Sequence, residues 1–297
     1  MKFLYKYPQR PYPYEQLVKE SRRRSRDEEE YEIMDAGVFD DNRYWDVIVE
    51  VSCTSPPCQA IIIIVNLSVL QYAKDDDNPE AVSIRITAYN RGPDPADLHI
   101  IPQLWFRNTW SWDSPNPPRP KLSRPTEGTI KAEHSMLGTR HLHCLSSPTS
   151  SGDSAEVVPE LLFTENETNY ERLWDGENNG PYVKDAFHNH IIGPRASDSL
   201  TPYQSAFVNP EFTGTKGCAH YVFTDVPGDG GCVVVRVKLT TAASSQEDLA
   251  VNNEEEFDDL IEARRSEADE FYSAFDHDVA TSDLRNITRQ ALAGMLW

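Results

Sequence analysis

The chain has 297 residues, 39% of them apolar, and a formal charge of −20 at pH 7. That length allows one large or two ordinary domains with a sizeable core, and that charge argues against nucleic acid or an anionic membrane as a partner. The strongest apolar run, 60–65, is too short to span a bilayer, and the opening MKFLYKYPQRPYPY breaks into prolines instead of forming a signal-peptide core, so a cytosolic protein is expected.

Residues 14–26 form a polar helical stretch ending in the basic cluster Arg22, Arg23, Arg24 and Arg26, with the acidic run 27–30 directly after it. Opposite charges this close predict a solvated helix with local ion pairs rather than a phosphate site. A strand is predicted over 45–51. Then VSCTSPPCQAIIIIVNLSVLQ, residues 51–71, interrupts acidic flanks with two of the five cysteines and four consecutive isoleucines, a run that suits a fully buried strand. The cysteines lack metal-site spacing and are expected as free thiols. Val82, Ile84 and Ile86 alternate with polar residues, which predicts a half-buried antiparallel strand running into a turn at Asn90-Arg91-Gly92-Pro93.

The stretch His99–Ser114 carries Trp105, Trp110 and Trp112, three of the six tryptophans. Residues 98–106 read as a strand leading into a loop, with Phe106, Asn108, Trp110 and Trp112 sharing one face if the chain stays extended. Two readings stand for that face: core filling, or a stacking surface for a sugar ring or a domain interface. Residues 115–159 are rich in Pro, Ser and Thr and predict a long irregular region with a few strand fragments, such as 128–132. His134, His141 and His143 lie in it, but no carboxylate or cysteine completes a ligand set at convincing spacing, so no metal is expected.

A strand and turn are predicted over 161–170, followed by a polar loop, 172–185, that holds Trp174 and Tyr182. Its acids Asp175, Glu177 and Asp185 read as solvated surface groups rather than a glycosidase pair, which needs one protonated acid and one carboxylate flanking a bond. Gly214-Thr215-Lys216 lacks the spacing of a phosphate loop. Residues 218–224 and 232–239 flank Val226–Gly231 and predict a hairpin. After a linker at 240–253, Phe257, Leu260, Ile261, Ala268, Phe271, Tyr272 and Phe275 recur at helical spacing opposite Glu, Asp and Arg, and a second helix begins at Thr281-Ser282. Its apolar side reaches Trp297 with nothing in the sequence to cover it, as if the chain were cut there.

Several strings resemble glycoside hydrolase family 63, the mannosyl-oligosaccharide glucosidase-like proteins, in particular a soluble bacterial-like branch. They are FLYKYPQ with PYPYEQLVKE, DAGVFDDNRYWDV, ITAYNRGPDPADLHIIPQLWFRNTWSW, NETNYERLW with YVKDAFHNHII, NPEFTGTKGCAHY, and RRSEADEFY with RQALAGMLW. The resemblance implies a mainly β fold: an incomplete antiparallel β-sandwich over 1–239, a linker over 240–253, and over 254–297 the opening helices of a truncated (α/α)6 toroid. The family's two catalytic carboxylates lie on the toroid, beyond the matching segments, so no catalytic residue is carried over and no activity is expected of this chain alone. The implied partners are a carbohydrate, as oligosaccharide or small glucoside, and the missing toroid itself; no cofactor is implied. Trp105, Trp110, Trp112 and Trp174 remain as candidate sugar-stacking residues, and the alternative is a binding or scaffolding sandwich without catalysis. The match runs from the RYWDVIVE strand straight into YAKDDDNPEAVSIRITAYN, so 51–71 is expected to be a translated, unspliced intron: Val-Ser encodes a splice donor and Leu-Gln ends in an acceptor.

Overall fold

The computed structural model describes residues 2–51, 62–64, 69–74, 80–111, 118–149, 155–193, 207–241, 254–275 and 280–296. In chain order the elements are β1 (Lys2–Pro8), α1 (Tyr14–Arg23), β2 (Tyr44–Val51), β3 (Ile62–Ile64), β4 (Val69–Lys74), β5 (Val82–Asn90), β6 (Ala96–Ile100) and β7 (Gln103–Trp105). There follow β8 (Lys121–Thr126), β9 (Thr129–His134), β10 (Gly138–Cys144), β11 (Ser147–Pro148), β12 (Glu156–Val157), β13 (Glu160–Thr164), α2 (Tyr170–Trp174) and α3 (Ala186–Ile192). The last are β14 (Thr213–Gly214), β15 (Lys216–Val226), β16 (Cys232–Thr241), α4 (Glu254–Ser273) and α5 (Ser282–Leu296).

Nine strands form one sheet in the order β1-β2-β4-β5-β16-β10-β9-β8-β14, antiparallel apart from a parallel β2–β4 pair. A second sheet runs β13-β15-β7-β3, with β6 pairing β15 beyond the β7 contact. The alternation read from the sequence produces this layering: Ile84, Ile86 and Ala88 of β5 and Val233, Val235 and Val237 of β16 face Ala219, Tyr221 and Phe223 of β15 in one buried cluster. Each fully buried aliphatic or aromatic side chain there contributes about 1.5–3 kcal/mol. Tyr221 reaches across and donates its hydroxyl to Leu145 O at 2.8 Å, which satisfies the phenol inside the core. The chain is therefore a mainly antiparallel β-sandwich followed by two C-terminal helices. Among the described residues no helix is long and apolar enough to cross a membrane.

Three sequence expectations are corrected. The predicted hairpin over 218–239 does not form: β15 pairs β13, β7 and β6, whereas β16 pairs β5 and β10 in the other sheet. The connection crosses between layers because its backbone is already bonded elsewhere, Asp229 N donating to Gly92 O and Gly230 N to Asn90 O, each at 2.8 Å. The β5–β6 connection crosses the layers at the same corner. A Cβ on Gly228 would stand 2.5 Å from Pro93 O, so only glycine lets the two crossings touch. Asn90, fully buried, ties the corner together. Its Oδ1 accepts from Gln9 Nε2 at 2.5 Å and Gly92 N at 3.0 Å, and its Nδ2 donates to Asp94 O and Val226 O, both at 2.9 Å.

The supposedly irregular 115–159 region contains the β8-β9-β10 meander, whose inward Leu122, Ile130, Ala132 and Leu142 are fully buried; its first turn uses Gly128 at φ +69°. The strand expected over 98–106 is split into β6 and β7 at Pro102, which has no N–H for a ladder. Of the isoleucine run, Ile62–Ile64 form β3, which among the described residues pairs β7 at the edge of the smaller sheet; the burial expected of the run, like residues 52–61 and 65–68, lies outside what the structure describes.

The acids of α4 are not merely solvated. Arg85 and Arg236 are direct cross-strand partners on β5 and β16, an arrangement of like charges that is destabilising by itself. Glu254, Asp258 and Glu262, one helical turn apart, neutralise the pair: Asp258 takes a fork from Arg236 at 3.0 and 2.7 Å, and Glu262 lies 2.6 Å from Arg85. Phe257 and Ile261 bury the adjoining stripe. Further along, Phe271 of α4, Phe275 just past its end, and Leu284, Ile287 and Met295 of α5 are exposed.

Candidate functional site

Three loops from one end of the smaller sheet are laced together: 106–111 after β7, 165–169 after β13, and Thr215 before β15. Asn108 Nδ2 donates to Asn166 O at 2.8 Å, and Asn166 Nδ2 donates back to Phe106 O at 2.9 Å. Asn166 N donates to Thr215 Oγ1, whose hydroxyl donates to Glu165 Oε2, both at 2.7 Å. The 106–111 loop is closed locally by Asn108 Oδ1, which accepts from Ser111 N and Oγ.

Glu167 sits at the centre of this lacing and is only 6% exposed. Such a carboxylate must find donors, because burial strips its water. They are Trp110 Nε1 at 2.7 Å and Asn108 Nδ2 at 3.3 Å, with Arg119 Nη2 at 3.5 Å supplying the countercharge.

The following segment folds back on itself. Asn169 caps α2 by accepting from Arg172 N, and Asp175 ends that helix at φ +53°. Asp185 holds the return, bonded by Arg172 Nη1 at 3.0 Å and Asn169 Nδ2 at 3.2 Å. One turn of helix brings Tyr170 and Trp174 together with ring centroids 5.4 Å apart, and they are 41% and 65% exposed. Where 172–185 was expected to be loop, its first residues continue α2. Next to this fold, Lys216 donates to Lys184 O at 2.7 Å and lies 5.1 Å over the Phe187 ring; burial pushes its pKa down to about 8.

The four tryptophans singled out by sequence do not share a surface. Trp105 is half-buried on β7, and its backbone pairs Ile62 and Lys216. Trp110 is 4% exposed, so both its ring faces are packed and its N–H is spent on Glu167. Trp112 lies outside the described residues. Trp174 presents an open ring face. Tyr170 was missed, although its spacing four residues before Trp174, behind the cap Asn169, was visible in the sequence. Of the histidines, His134 Nδ1 accepts two turn amides, and His143 lies between Thr129 and Thr240, where burial pushes its pKa down to about 4. Among the described residues no group of three or more His, Cys, Asp or Glu is placed to hold a metal ion.

No family model matches the chain. The chain is similar to the uncharacterized protein YMR196W of Saccharomyces cerevisiae (strain S288c), 35% identical over 323 aligned residues that take in 100% of this chain and 27% of that protein. The chain thus spans about a quarter of the length of the curated relative it matches.

Proposed function

We propose that this chain is the sheet-built portion of a family 63-like glycoside hydrolase of α-glucosidase type, whose intact form acts on an oligosaccharide or a small glucoside. The observation that carries the reading is the convergence of LWFRNTWSW, NETNYERLW, YVKDAFHNHII and GTKGCAHY at one end of the sandwich. These strings carry the resemblance; the first, second and fourth meet through the Asn108, Asn166, Thr215 and Glu167 bonds, and the third joins them through Lys184 N, which donates to Glu167 O at 2.9 Å, and through Asp185, which accepts from Arg172. The carboxylates there are engaged in holding loops, which fits a part that shapes a site while the acids of catalysis come from the toroid. The exposed apolar residues of α4 and α5 fit the start of such a toroid, and the much longer relative has the length to contain one. A cytosolic setting accords with the free thiols Cys144, Cys218 and Cys232.

A second reading, a carbohydrate-binding sandwich without catalysis, is favoured by the Tyr170–Trp174 pair, since exposed aromatic faces beside amides and carboxylates are suited to stacking on a sugar. Tryptophan fluorescence titrated with α-linked glucose oligomers tests for such a site. A saturable change that Trp174→Ala abolishes supports sugar binding there. The chain alone is expected to release no glucose from an α-glucoside, and release at an enzymatic rate would overturn the fragment reading.

A further inference from the structure

β5 has two successive partners on one flank. Along β2 the pairs are Trp45↔Asn90, Asp46↔Tyr89 and Val47↔Ala88, so the paired numbers add to 135. Along β4 the pairs run from Val69↔Thr87 to Lys74↔Val82, and they add to 156. The difference, 156 − 135, is 21, which is the number of residues from 51 to 71. The parallel β2–β4 pair has the same offset: Val49↔Leu70, Glu50↔Gln71 and Val51↔Tyr72 are each 21 apart. The end of β2 and the start of β4 therefore compete for one berth beside β5. Val49 would stand opposite Ile86, the position that Leu70 occupies.

From this register we infer that residues 51–71 are an insert within a single strand, and that a 276-residue form joining Glu50 to Tyr72 is the one for which the sheet is built. In that form β2 and β4 fuse into one antiparallel strand, running from Trp45↔Asn90 through Glu50↔Arg85 and Tyr72↔Ile84 to Lys74↔Val82 without a shift. The parallel pair in the larger sheet disappears. Strand pairing demands this numerical match, since a slip of one residue turns every following side chain to the wrong face. The register alone admits five cuts of 21 residues, starting at 48, 49, 50, 51 or 52. The Val51-Ser52 and Leu70-Gln71 codons, able to encode the two ends of an intron, select the one that starts at 51. Excision removes 63 nucleotides (3 × 21) and keeps the reading frame.

The test compares the full chain with deletions of 51–71, 51–70 and 51–72. The 21-residue deletion is expected to give severalfold more soluble protein than the full chain and a higher urea midpoint, while the 20- and 22-residue deletions fall below it. Off-by-one deletions that match or exceed the 21-residue one would overturn the inference, as would a 21-residue deletion that fails to fold while the full chain folds. Transcript reads joining the Glu50 and Tyr72 codons support it independently; reads that always include the segment refute it. Neither outcome bears on the sugar-binding experiment.

Discussion

Replacing Asn90 with leucine, whose side chain branches at the same carbon, removes the four side-chain hydrogen bonds that hold the two interlayer crossings together. Asparagine has one acceptor oxygen with two lone pairs and two N–H donors, so at Asn90 its capacity is fully used. An ordinary hydrogen bond contributes about 1 kcal/mol net, and a buried group left without a partner costs about 1–3 kcal/mol. Gly92 N and the Val226 carbonyl are both stranded by the change, and Gln9 and Asp94 lie nearer water, so the loss sums to about 3–5 kcal/mol. With a urea slope of about 3 kcal/mol per molar, the midpoint falls by about 1–1.7 M. Equilibrium urea unfolding followed by tryptophan fluorescence reads this directly. A midpoint within about 0.3 M of the parent, a shift worth only about 1 kcal/mol on that slope, would show that the corner does not depend on Asn90.

Other expectations follow from the same structure. Asp258→Asn leaves Arg85 and Arg236 facing each other with less countercharge, so proteolysis within 254–275 should accelerate several-fold while the sandwich persists; an unchanged cleavage rate would mean that Phe257 and Ile261 hold α4 by themselves. His143 is neutral in the fold down to about pH 4 but takes up a proton near 6.5 when unfolded, so the unfolded state binds more protons between those values. Its contribution is complete above about pH 6.5 and is lost as the pH falls toward 4; discounted for a ring that is only partly buried, about 1–2 kcal/mol is at stake. His143→Gln should flatten the pH dependence of the urea midpoint across that window, and an unaltered slope would contradict the assignment. On the outer face of the smaller sheet, His220 Nε2 meets His99 Nδ1 at 2.8 Å, and burial lowers the His220 pKa. Acid that protonates His220 should therefore break this contact, and His99→Gln should alter the NMR titration of His220; a His220 titration unchanged by that substitution would exclude it.

The elements that periodicity dictates were legible: β2, β5, α4 and α5 fall where alternation or helical spacing places them. What was hidden depended on partners far along the chain. Val226–Gly231 carries the residues of a tight turn, yet the same residues serve a crossing once Gly92 and Pro93 dock against them. Composition concealed β8 and β10, though not the fragment at 128–132 that became β9, because their apolar residues are single and set among Lys, Arg, His, Ser and Thr. For Trp110 the sequence left core filling and a stacking surface both open, because the partner that holds it inside, Glu167, lies 57 residues later. The acids at 254, 258 and 262 could be placed opposite the apolar stripe of a helix, but nothing local shows that two arginines face each other on neighbouring strands to receive them.

The middle of the larger sheet is its last strand to be synthesised. β16 separates β5 from β10, and its pairing of Val82 with Leu239 spans 157 positions (239 − 82). As the polypeptide leaves the ribosome, both flanks of that gap wait with open edges until residue 241 has emerged. Assembly should be slow and dependent on chaperones, and a ribosome stalled before β16 should yield a sticky, protease-sensitive intermediate instead of half a sandwich.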